Sequence, residues 1–244
     1  MAWQNNYIPK DATQQDIFLS KYSDFDGRGI KIAIIDSGLD ISLKGLRCTS
    51  EGLPKIIDCF DFTGVGDVDT SVIREMENNI LVGLNGRKLK IPKHWKNPSG
   101  KWHLGLKSIF KPKMPSLDSE KLPEIDCIVW FDGRKWCACI ETYANLEEAK
   151  ILTNFRDEHD YSILHLDKLE MSYCITVHND GNLLEIFMPY GDHGTIVTQT
   201  AAAHFPENRD SDGLAPGAQI IFMSIWGPEK DTDEMFVQTL NKAR

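Results

Sequence analysis

Apolar positions along this chain fall into two regimes, and each predicts a different architecture. The stretch Gly29-Ile30-Lys31-Ile32-Ala33-Ile34-Ile35 is almost continuously apolar and β-branched, and it runs straight into Asp36-Ser37-Gly38. A run of that kind, without strict alternation, suits a central parallel strand covered on both faces, with active groups just past its carboxyl end. Residues 55–62 and 219–226 repeat the pattern and read as strands of the same layer. Residues 193–203, lined with small side chains, read as a helix that opens near His193 and packs close to the sheet. A turn at 214–218 and a helix over 234–242 complete this regime, and residues 1–20 read as a polar lead-in.

Between 63 and 189 the pattern changes. Three segments carry Asn-Gly or Asp-Gly between strand-like residues, the strongest short-range hairpin signal. They are 80–91 around Asn85-Gly86, 127–140 around Asp132-Gly133, and 173–188 around Asp180-Gly181. In the second, a two-residue turn pairs Val129 with Trp136 and Ile128 with Cys137. Residues 91–123, with five prolines, read as an irregular connection in which His94, Trp95, Trp102 and His103 pack on the surface. Leu146, Ala149 and Leu152 have helical spacing and predict one helix over 145–154. The expected fold is therefore α/β: a parallel sheet with flanking helices over 1–62 and 190–244, interrupted by a β-hairpin-rich insert over 63–189.

Composition narrows the function classes. A formal net charge of -9 argues against a polyanion-binding surface, so no nucleic-acid partner is expected. The one cationic stretch, 87–113, reads as a solvated loop. The first twenty residues lack a basic n-region and an apolar core, and no window reaches 18 apolar residues, so neither a secretory signal nor a membrane span is expected. Six cysteines are too few for a disulfide scaffold at 244 residues and read as reduced, packed thiols of a cytoplasmic protein.

The candidate chemistry sits at the two ends of the long interruption. A carboxylate at a strand end and a histidine at a helix start form a familiar pair, because a buried Asp that accepts from an imidazole fixes its tautomer and stabilises imidazolium. Asp36 and His193 are the candidates, and such a pair is a base waiting for a nucleophile. Other constellations are weaker. Gly64-Val65-Gly66 lacks the third glycine and the helix of a phosphate loop. Cys137 and Cys139 share a strand face turned away from Cys127's neighbours, and no further pair completes four ligands, so no metal or cofactor is expected.

Asp26-Gly27-Arg28-Gly29 through Ile35-Asp36-Ser37-Gly38 resembles the catalytic-Asp block of subtilisin-like serine peptidases. His193-Gly194-Thr195, followed by Val197 and small residues, resembles their catalytic-His block, and Leu214-Ala215-Pro216-Gly217-Ala218 is similar to the turn and strand that follow it. The order Asp then His fits that family. The 157-residue step from Asp36 to His193 is long for it, and resembles the tripeptidyl-peptidase branch, which carries an insert there. Val82-Gly83-Leu84-Asn85-Gly86-Arg87, Asn97-Pro98-Ser99-Gly100-Lys101 and Asp180-Gly181-Asn182-Leu183-Leu184 are similar to segments of that insert.

The resemblance implies a cytoplasmic serine exopeptidase that removes tripeptides from peptides with free N-termini and assembles into a large homo-oligomer. Asp36 would orient the imidazole and His193 would act as general base, then general acid. No Gly-Thr-Ser nucleophile block and no oxyanion-hole asparagine follow, so this chain is expected to be an N-terminal portion that is inactive alone, with no nucleophile of its own. Where relatives read His-Gly-Thr-His, Ile196 stands on the His193 face of the helix. Two other readings stay open: a truncated homologue acting as an oligomer-binding or regulatory module, and an α/β enzyme or nucleotide binder outside the peptidases.

Overall fold

A computed structural model describes residues 8–108, 124–140, 146–166, 169–226 and 232–243. They form two compact units, one of 1–63 with 189–244 and one of 64–188.

The first unit is built on a three-stranded parallel sheet in the order Lys31–Asp36, Gln219–Ser224, Ile56–Asp61. Its centre is the late strand, whose Ile220, Phe222 and Met223 are fully buried. Lys31–Asp36, expected at the centre, is an edge strand among the described residues. Its burial is correspondingly one-sided, with Lys31 and Ala33 exposed and Ile34 and Asp36 buried. The register places Asp36 beside Ser224 and Ser224 beside Asp61, so the three strands end level. The helices are Lys10–Thr13, Gln15–Lys21, His193–Ala202 and Thr232–Ala243. The first two replace the expected polar lead-in. Lys10 reaches from there to donate to the carbonyls of Arg209 (2.9 Å) and Asp210 (3.1 Å), a tertiary tie invisible to local pattern. Lys55, at the entry to its strand, is wholly buried and donates to the carbonyls of Pro216 (2.7 Å) and Ala218 (2.9 Å). Burial pushes its pKa down to about 8.

The second unit is β-rich and its strand pairs are antiparallel. A five-stranded sheet runs Leu152–Thr153, Trp136–Cys139, Glu124–Phe131, Trp102–Ser108, Val72–Arg74, and a four-stranded sheet runs Ser162–Leu166, Leu169–His178, Leu183–Phe187, Asp67–Asp69. One apolar cluster, including Val129, Ala138, Tyr173, Ile175 and Leu184, joins side chains of both sheets. The other face of the five-stranded sheet carries Leu104, Ile128, Cys137 and Cys139 and a tryptophan cluster, in which Trp95 stacks on Trp130 with centroids 4.7 Å apart. The hairpin of Ile80–Val82 and Lys88–Lys90 contributes Leu81 and Leu89 to that cluster.

All three hairpins form, and three details differ from expectation. The Asp132-Gly133 hairpin pairs Phe131 with Trp136 and Trp130 with Cys137, a shift of two residues that leaves every side chain on its expected face. The cause is Asp132, whose carboxylate accepts from the amides of Arg134 (2.7 Å) and Lys135 (2.8 Å) and holds a longer loop. Within the Pro-rich connection, Trp102–Ser108 is a central strand; Trp95, Trp102 and His103 are buried, not surface packing, while residues 109–123 lie outside the described residues. Lys107, in the supposedly solvated cationic stretch, is buried as well. No helix spans 146–154: Leu146 opens a turn and Leu152 pairs with Ala138, because sheet pairing and core burial outweigh the helical spacing. Asn145 itself lies outside the described residues.

Candidate functional site

The fold brings Asp36 and His193 together across 157 residues of chain. His193 Nδ1 lies 2.9 Å from Asp36 Oδ2 and 3.0 Å from Oδ1, so an Nδ1–H donates to the carboxylate and leaves the Nε2 lone pair free. The environments are opposite, with the Asp36 side chain 7% exposed and the His193 side chain 73% exposed. Asp36 is the buried last residue of its strand, and His193 is the first residue of its helix.

Local chemistry fixes the carboxylate before the histidine arrives. Oδ1 accepts from the Ser37 amide (2.7 Å) and the Ser37 hydroxyl (3.1 Å). The chain then turns at Gly38, whose φ of +144° and packing against the backbone of Pro189 and Tyr190 exclude a side chain. Thr195 locks this loop to the helix, because its Oγ1 accepts from the Asp40 amide at 2.9 Å. Gly194 makes the close approach possible. A Cβ there would lie 2.4 Å from the Gly38 carbonyl oxygen and 2.7 Å from the Phe222 ring. Ile196 is 55% exposed, so its apolar side chain is presented to solvent.

The electrostatics favour a protonatable ring. The hydrogen bond and then the charge of Asp36 raise the His193 pKa above the ordinary histidine value; desolvation opposes this weakly and Asp192 adds to it. The arrangement can take a proton on Nε2 and stabilise the resulting imidazolium. A second pair, His204 Nδ1 to Asp212 Oδ1 at 3.3 Å, is buried, with its histidine only 6% exposed. Among the described residues no group of three or more His, Cys, Asp or Glu side chains is placed to hold a metal ion. The cysteines are free thiols, and Cys127 lies on the opposite sheet face from Cys137 and Cys139.

The sequence model of the subtilase family, peptidase S8, matches residues 27–244. The chain belongs to the subtilase family. It is similar to tripeptidyl-peptidase 2 of Caenorhabditis elegans, with 35% identity over 89% of this chain and 20% of that protein. It is also similar to tripeptidyl-peptidase 2 of Arabidopsis thaliana, at 31% over 89% of this chain and 21% of that one. Its fold matches a crystal structure of tripeptidyl peptidase 2 with a TM-score of 0.70 at 24% identity, over 92% of this chain and 23% of the other. The chain thus spans about a fifth of the length of the curated relatives it matches. In this subtilase, Ser37, Thr195 and the close-packing role of Gly194 escape a reading that looks for titratable groups alone. The adjacency of Ser37 to Asp36 and of Gly194 to His193 was the available signal.

Proposed function

We propose that this chain supplies the aspartate and histidine of a serine exopeptidase of the tripeptidyl-peptidase 2 type. It acts on peptides with free N-termini and removes tripeptides from them. The observation that carries the reading is the approach of His193 Nδ1 to both oxygens of a buried Asp36 in a subtilase, with the His193 side chain largely exposed. His193 Nε2 takes the proton of a serine hydroxyl as that oxygen attacks the scissile carbonyl, and later returns it to the leaving amine. Asp36 holds the tautomer and stabilises the imidazolium without itself being protonated. The serine and the oxyanion-hole asparagine belong to polypeptide outside this sequence, in a cytoplasmic homo-oligomer. The length of the relatives, about five times that of this chain, supports placing the serine and asparagine outside this sequence.

The test compares two polypeptides with an Ala-Ala-Phe reporter: this chain of 244 residues, and the same chain continued through a Gly-Thr-Ser block. The short chain is expected to give no turnover. The long one is expected to release the tripeptide and to lose roughly 10⁴-fold or more in kcat on His193→Ala or Asp36→Ala. Because the base must be neutral, kcat/KM should rise with pH through a value above the ordinary histidine pKa, and Asp36→Asn should move that limb down. Turnover by the short chain, or release unaffected by His193→Ala in the long one, rules the reading out.

A further inference from the structure

Ser224 lies between two buried carboxylates and has no explanation in the site as described so far. The parallel register sets Asp36, Ser224 and Asp61 side by side at the ends of three neighbouring strands, and paired residues of parallel strands turn their side chains to the same face. That face is the one against the His193 helix, since a Cβ on Gly194 would meet both the Phe222 ring, two residues before Ser224, and the Asp36 Cβ. Ser224 is 0% exposed, and its hydroxyl finds no hydrogen-bond partner among the protein atoms. A buried hydroxyl is rarely left unpaired.

The acceptors around it are unequally used. Asp36 Oδ1 receives three donors, two from Ser37 and one from His193, while Oδ2 receives only His193 Nδ1. Asp61 Oδ1 is occupied by the amide and hydroxyl of Thr63. Ser224 Oγ makes no direct bond to either carboxylate, so a link between them runs through a water.

We propose that Ser224 is a positioning residue for the Asp36–His193 pair. Its hydroxyl donates to a single buried water, and that water donates to Asp36 Oδ2. The carboxylate is then held by Ser37 on one oxygen and by Ser224 on the other, so its plane is fixed where His193 Nδ1 meets both oxygens. The water also draws charge from the carboxylate and moderates how strongly Asp36 stabilises imidazolium. The titratable groups in or against this row are Asp61 on the neighbouring strand and His193, whose own charge Asp192 affects. The inference rests on the paired role of Asp36 and His193 proposed above.

The measurement is the protonation midpoint of His193, followed by NMR of the imidazole carbons and nitrogens in the 244-residue chain, for wild type, Ser224→Ala and Ser224→Val. Alanine removes the donor, and valine removes the donor and fills the water's place. Amide spectra confirm that each variant keeps the fold. Loss of a donor leaves a more basic carboxylate, so both variants should raise the midpoint by about half a pH unit. A serine with no link to Asp36 would leave the midpoint unmoved in both variants, and that result overturns the inference. A wild-type midpoint at or below the ordinary histidine value removes the pairing itself and overturns the inference at its base. Such a result is distinguishable from an unshifted variant beside a raised wild type.

Discussion

Gly194 shows how much of this site depends on an atom that is missing. With a side chain at that position the His193 helix would have to retreat from the Gly38 carbonyl, the Phe222 ring and Asp36 together. Gly194→Ala is therefore expected to cost about 1–3 kcal/mol of stability by thermal unfolding. The same variant should let the His193 midpoint fall back toward its ordinary value. The sign at His193 follows from its raised pKa. Its contribution to stability is complete below the ordinary histidine value and disappears as pH rises through the raised one. At this scale the sequence was informative about titratable groups and silent about spacing. Asp36 and His193 stand out because each sits at a pattern boundary within two residues of a glycine. The reason for Gly194, the hydroxyl of Ser37 and the burial of Ser224 emerge only when two backbones meet.

The turn that delivers the first strand is an element held by its own chemistry. Asp26 accepts from the Arg28 amide (3.1 Å), from Arg28 Nε (3.0 Å) and Nη2 (3.2 Å), and from the Ser50 hydroxyl (2.5 Å), while its carbonyl receives the Gly217 amide. Burial alone would raise its pKa, but the hydrogen bonds from Arg28 and Ser50 win and bring it to about 2. A lowered carboxylate pKa stabilises the fold above pH 4 and ceases to do so as pH falls from about 4 toward 2. Asp26→Asn should therefore cost about 1–2 kcal/mol at neutral pH, a figure reduced because Arg28 is one-third exposed, and should flatten the acid limb of urea stability. Elements were legible where turn chemistry is strict, as at Asn85-Gly86 and Asp180-Gly181. They were not legible where packing overrides local preference. Trp102–Ser108 hides among prolines and lysines because its partners lie far along the chain, at Val72–Arg74 and Glu124–Phe131.

For the molecule as a whole, the change from continuous apolar runs to alternating hairpins near residue 63, and back near 190, falls close to the boundaries of the two compact units. Two periodicities announce two kinds of core: a sheet with a helix laid on it, where Ile34, Ile220 and Phe222 are buried, and a stack of antiparallel sheets with two buried clusters. The position of the Asp36 strand within its sheet was the part a linear pattern does not encode. Its carbonyls at Ile30 and Asp36 receive the amides of Gln219 and Ile225, so the even-numbered residues of the strand turn toward their partner. Lys31, Ala33 and Ile35 turn their amides the other way, where no strand follows among the described residues. Among the described residues the ladder is therefore open on the outer side of the strand that ends in Asp36. Hydrogen–deuterium exchange resolved to single amides should be alternately fast and slow along residues 31–36, with protection at 32, 34 and 36; uniform protection would show that the outer row is covered. Among the described residues, that outer row of amides and carbonyls is an open edge of the kind that can template backbone pairing, on the strand that presents Asp36.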